Sequence, residues 1–168
     1  HSRGTSNLAA GNHTQALEDF AKALAIDPKS VESHLGRAAA FVAESLKQAG
    51  MTTVDVIATE RHPLIYAECL EAPGKPTVLC YGHYDVQPPD PLDLWETPPF
   101  EPVIRNGNIY ARGAADDKGQ MYAHIKAVEA LRAVHGRLPL NIKFLIEGEE
   151  EVGGASIARY VATHGDRL

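Results

Sequence analysis

The run Thr77-Val78-Leu79-Cys80-Tyr81 is apolar without alternation and gives way at once to Gly82-His83-Tyr84-Asp85. A strand that alternates apolar and polar residues can leave one face in water, whereas an unbroken run suits a strand covered on both faces. The run therefore predicts a buried central strand with a layer above it and a layer below. Asn141–Ile146 repeats the pattern, and it too runs into charge, at Glu147-Gly148-Glu149-Glu150-Glu151.

Helices for those layers are visible on either side. Ala16, Leu17, Phe20, Ala21 and Leu24 fall at helical spacing, and Asp27-Pro28 stops the helix they predict over residues 13 to 25. A second helix starts at Val31 or Ala38 and ends at Ala49, with Gly50 suited to the C′ position. Met121, Ile125, Val128 and Leu131 mark one face of the clearest helix, residues 119 to 134, and a last helix begins at Gly154. Thr53–Ile57 and Leu64–Cys69 read as further strands, and Val103–Tyr110 as a hairpin turning at Asn106-Gly107. Between them lies a loop from Val86 to Pro102, stiffened by its prolines. Strands alternating with helices, plus antiparallel pieces, predict an α/β fold with a mixed, mostly parallel sheet flanked by helices.

Sheets of this kind bind ligands outside the C-terminal ends of their strands. That selects three loops. In the first, His83 and Asp85 lie two apart and share a side if the backbone stays extended. Asp85 can orient His83 through a ring proton or ligate directly, and the bland alternative is a polar turn. In the second, Asp116 and Asp117 precede the long helix. One acid is explained by capping that helix, which leaves Asp116 free to point into a site. In the third, clustered acids repel one another unless a cation compensates, and the alternative is a solvated acidic turn. One imidazole and several carboxylates without thiolate suit zinc, manganese or cobalt.

The formal net charge is −6 at pH 7, and no basic stripe exists to displace counterions from nucleic acid. No apolar stretch reaches membrane-spanning length. Neither a nucleic-acid nor a membrane partner is expected, and the default location is cytoplasmic. Cys69 and Cys80 are too few for a disulfide scaffold and read as free buried thiols. There is no Gly-x-x-x-x-Gly-Lys-Ser/Thr run and no Gly-x-Ser-x-Gly elbow, which argues against phosphate cradling and serine hydrolysis.

Three segments carry a resemblance: Tyr81-Gly82-His83-Tyr84-Asp85-Val86-Gln87-Pro88, Ala111-Arg112-Gly113-Ala114-Ala115-Asp116-Asp117-Lys118-Gly119 and Glu147-Gly148-Glu149-Glu150-Glu151-Val152-Gly153-Gly154. In order and separation they resemble the N-terminal motifs of carnosinase-like dipeptidases, in the family of acetylornithine deacetylase, succinyl-diaminopimelate desuccinylase and glutamate carboxypeptidase. Trp95-Glu96-Thr97-Pro98-Pro99-Phe100 resembles the loop after the first motif in the dipeptidase branch. The resemblance implies that His83 and Glu151 ligate metals, that Asp116 bridges them and that Asp85 orients His83. It also implies that Glu150 is the general base, that Glu149 is a spacer and that the Asp116–Asp117 bond is cis. Two divalent ions are implied, zinc first and manganese or cobalt as alternatives. The implied reaction is hydrolysis of a dipeptide or an N-acyl amino acid by a water that the two metals activate.

Two departures shape the expectation. The resembled family supplies a further carboxylate ligand and a late histidine that no residue here matches, so residues 38–168 are expected to be the N-terminal portion of a catalytic domain. Alone, that portion is expected to be inactive, while the full-length parent is expected to be a homodimeric enzyme. The second departure is the helical segment 1–37. Within it, Gly11 to Pro28 resembles half of a tetratricopeptide repeat. It is either a divergent family N-terminus or a fused remnant. The second option carries the competing function, a non-catalytic peptide-binding scaffold joined to a decayed hydrolase half.

Overall fold

The segments Leu64–Cys69 and Asn141–Glu147 are the two strands that pair on both sides. A computed structural model describes residues 1–168. In chain order the elements are α1 (Ser2–Ala9), α2 (His13–Ile26), α3 (Val31–Gln48), β1 (Thr53–Ile57), β2 (Leu64–Cys69) and β3 (Thr77–His83), then β4 (Val103–Arg105), β5 (Asn108–Tyr110), α4 (Gly119–His135), β6 (Asn141–Glu147) and α5 (Ala155–His164). The main sheet has the order β1-β2-β6-β3, and β4-β5 forms a separate hairpin. Its turn places both Asn106 and Gly107 at positive φ, as the Asn-Gly pair predicts.

The sheet is mixed, as expected, but its parallel share is smaller. β1 pairs β2 and β2 pairs β6 antiparallel, while only β3 and β6 run parallel. Connection length explains this. The short link between β1 and β2 permits only an antiparallel neighbour, and the long crossover through α4 permits the parallel pair. A second correction concerns Thr77–Tyr81. It forms β3 but lies at the sheet edge, with Val78, Leu79 and Tyr81 42%, 42% and 50% exposed. An apolar run reports that a strand tolerates cover on both faces. It does not report the strand's position in the sheet.

Helices lie on both faces. Ile142, Phe144 and Ile146 of β6 join Ile65, Ala67 and Cys69 of β2 against Val42, Ala43 and Leu46 of α3 and Met121, Ile125 and Val128 of α4. Leu145 points the other way, to Leu64 and to Tyr160 of α5, as a period of two requires. The first cluster continues without a break into Leu8, Ala16 and Phe20 of the N-terminal helices. Phe20 is fully buried because Gly36 leaves room for it: a Cβ at Gly36 would stand 2.5 Å from the ring. Gly50 takes φ +87 just past α3, as its C′ position predicts. No helix is long and apolar enough to cross a membrane.

Candidate metal centre

The parallel register sets His83, the last residue of β3, opposite Glu147, the last residue of β6. The first and third loops therefore leave the sheet side by side, tied by Tyr84 N–H donating to Glu147 O at 2.8 Å. Gly148 allows the close approach, since a Cβ there would meet the Tyr84 ring at 2.4 Å. The second loop arrives over the end of β3. Asp117 Oδ2 accepts the His83 backbone N–H at 3.1 Å, and Asp116 Oδ1 lies 3.1 Å from His83 Nε2. Between them the Asp116–Asp117 peptide bond is cis.

Around His83 the carboxylates take different stations. Asp85 Oδ1 is 3.3 Å from Nδ1, and Asp85 Oδ2 accepts the Glu151 backbone N–H at 3.1 Å. Glu150 Oε2 stands 3.9 Å from Nε2. Glu151 Oε2 accepts from Gln87 Nε2 at 2.7 Å. His83 and Asp85 are buried, whereas Asp116 and Glu150 face solvent. Ligand-type atoms of His83, Asp116 and Glu151 all lie within 4.8 Å of one another. An imidazole and two carboxylates at that range, one from each loop, fit a divalent cation of the zinc, manganese or cobalt class.

The electrostatics are those of an anionic pocket. Burial lowers the His83 pKa, but Asp85, Asp116, Asp117 and Glu150 outweigh it, and the imidazole is held above its ordinary value. Burial raises Glu147, against the opposing hydrogen bond from Tyr81 Oη at 2.7 Å. Burial pulls Lys118 down, against Asp85 and Glu151. His83 Nδ1 and Asp85 Oδ1 are both buried without a hydrogen-bond partner, so the pair faces itself at 3.3 Å.

Sequence reasoning selected His83, Asp85, Asp116, Glu150 and Glu151, and all five converge here. Asp117 departs from the helix cap that the sequence suggested: no side chain caps α4, and the Asp117 carboxylate holds the His83 backbone instead. Glu149, a spacer by resemblance, is 1% exposed, and its Oε1 accepts from His62 N–H and Ser156 Oγ–H. The buried Glu147 was passed over. Its signal was its place as the last residue of an inward-facing apolar strand, where a charge is least at home.

Residues 79–167 match the peptidase family M20/M25/M40. The chain is 47% identical over 106 residues to Beta-Ala-His dipeptidase of Homo sapiens, covering 63% of this chain and 21% of that protein. It is 41% identical over 96 residues to succinyl-diaminopimelate desuccinylase of Azoarcus sp. (strain BH72), covering 54% and 25% respectively. The crystal structure of human carnosine dipeptidase 1 is similar with a TM-score of 0.74 and 34% identity, over 96% of this chain and 38% of that one. The chain thus spans well under half the length of these relatives. The match takes in all three strand-end loops, and on that ground the chain belongs to peptidase family M20/M25/M40.

Proposed function

We propose that this chain carries part of the active site of a metal-dependent hydrolase that cleaves dipeptides or N-acyl amino acids. The observation that carries the reading is the convergence of His83, Asp116 and Glu151 within 4.8 Å, with Glu150 beside them. His83, Asp116 and Glu151 would hold divalent cations, two in the complete enzyme, with zinc preferred and Asp116 shared by resemblance. When bound, the cations supply Lewis acidity to the scissile carbonyl and to the attacking water. Glu150 accepts the water's proton and returns it to the leaving amine. Its carboxylate is solvent-exposed and stands 3.9 Å from His83 Nε2, which supports that role. Asp85, whose Oδ1 stands 3.3 Å from Nδ1 of His83, would orient the ring and leave Nε2 turned toward Asp116.

The similarity to carnosine dipeptidase 1 over 96% of the chain supports reading residues 1–37 as part of the hydrolase rather than as a docking module. The free thiols of Cys69 and Cys80 support a reducing compartment such as the cytoplasm. The full-length parent is proposed to be a homodimer, on resemblance alone.

The test is the Glu150→Gln variant of the full-length parent, stripped with chelator and reloaded with zinc, manganese or cobalt, on a panel of dipeptides and N-acyl amino acids. Metal content should match the parental protein while turnover falls about 10²–10⁴-fold. Near-parental turnover at matched occupancy overturns the role of Glu150. No hydrolysis by the parental protein with any metal or substrate overturns the reaction.

A further inference from the structure

We propose that Glu149 is a positioning residue whose buried carboxylate fastens the turn bearing Glu150 and Glu151 to the link between β1 and β2 and to the start of α5. The inference rests on the reading of Glu150 as base and Glu151 as ligand. Glu149 itself turns away from the cation cluster. Its Oε1 accepts Ser156 Oγ–H at 2.8 Å and His62 N–H at 3.2 Å. Thr59 Oγ1 lies 3.4 Å from the same oxygen. The Thr59 hydroxyl also donates to His62 O at 2.7 Å and receives Arg61 N–H at 3.1 Å, which closes the link on itself.

The backbone of Glu149 works on the same turn. Its carbonyl accepts Val152 N–H at 3.1 Å and Gly154 N–H at 2.8 Å. The residue therefore grips the Glu150–Gly154 segment by its carbonyl and grips two other elements by its side chain. From the far side, Asp85 Oδ2 accepts Glu151 N–H at 3.1 Å. The stretch that carries both functional acids is thus fixed at both ends, by Glu149 and by Asp85.

Burying a carboxylate is unfavourable unless it is bonded, and a spacer needs no charge. In Glu149 every bond falls on Oε1, while Oε2 is buried without a partner, so the grip is made by one oxygen. Charge-assisted bonds are shorter and roughly twice as strong as neutral ones, so they suit a residue that must hold a turn in place.

Two readouts on the 168-residue chain test this. The first is amide hydrogen exchange, which needs no metal. Glu149→Ala should speed exchange about tenfold or more at His62, Val152 and Gly154 and leave β2 and β6 protected. Glu149→Gln keeps an acceptor at Oε1 and should restore most of the protection. The second is zinc titration by calorimetry, in which Glu149→Ala should weaken affinity about 10–100-fold and Glu149→Gln only slightly. Unchanged exchange at Val152 and Gly154 overturns the proposal, as does loss of protection throughout the sheet, or a Gln variant no better than Ala. Should the parental chain bind no zinc while exchange behaves as stated, the positioning stands and the ligand assignment fails.

Discussion

His83 Nδ1 and Asp85 Oδ1 face each other at 3.3 Å, and both side chains are more than nine-tenths buried. A buried imidazole needs its second nitrogen occupied if the first is to point in one direction. Asp85→Ala should therefore weaken divalent-metal affinity about 10–100-fold without removing any ligand. Calorimetric titration with zinc reads this directly. An unchanged dissociation constant would show that other contacts orient His83.

Gly36 is a packing position, and a larger residue there should be costly. A Cβ at Gly36 would stand 2.5 Å from the Phe20 ring, which is itself fully buried between the N-terminal helices. Gly36→Val should destabilise the fold by about 1–3 kcal/mol through overpacking. Urea denaturation measures it, as a lower midpoint with an unchanged slope. A midpoint equal to the parental value would mean that α2 and α3 separate at no cost.

His13 gives the stability a pH dependence with a definite sign. Its ring is 4% exposed and neither nitrogen has a hydrogen-bond partner. Burial lowers its pKa, Glu44 opposes and Lys47 adds to the lowering. Below the unfolded value of about 6.5 the unfolded chain binds a proton that the folded chain refuses. Stability therefore rises with pH between the lowered folded pKa and about 6.5, and is lost as pH falls through that window. In His13→Gln the loss between about pH 7.5 and pH 5 should be smaller than in the parent. Equal losses in urea midpoint would remove His13 as the cause.

The strands and the three loops were legible because their patterns are local. Thr53–Ile57 and Leu64–Cys69 follow the sequence reading residue for residue. Helix α1 was not legible: in Ser2–Ala9 only Gly4 and Leu8 are buried, too little for a 3.6-residue period. Leu131 continues the apolar face of α4 by spacing yet is 36% exposed, since spacing cannot say where a helix leaves its neighbour. The edge position of β3 and the side-chain anchors at Asp117 and Glu149 depend on partners 34 to 90 residues away in the chain, about which no local pattern informs. The difference between the four acids selected around His83 and others that serve the scaffold likewise shows only in the strand register, where His83 falls opposite Glu147.

The central claim is that His83, Asp116 and Glu151 together hold a divalent cation. Zinc titration of the 168-residue chain, beside His83→Asn, Asp116→Asn and Glu151→Gln, tests it most directly. Shared between two cation positions with Asp116 common to both, these groups give each cation two protein ligands at most, fewer than the three a catalytic zinc ordinarily has, so binding by this chain is expected to be weak. The expected result is weak but saturable binding by the parental chain and its loss or further weakening in each variant, with all four proteins folded by far-ultraviolet circular dichroism. Binding that survives all three substitutions, or a parental chain that takes up no zinc, would contradict it.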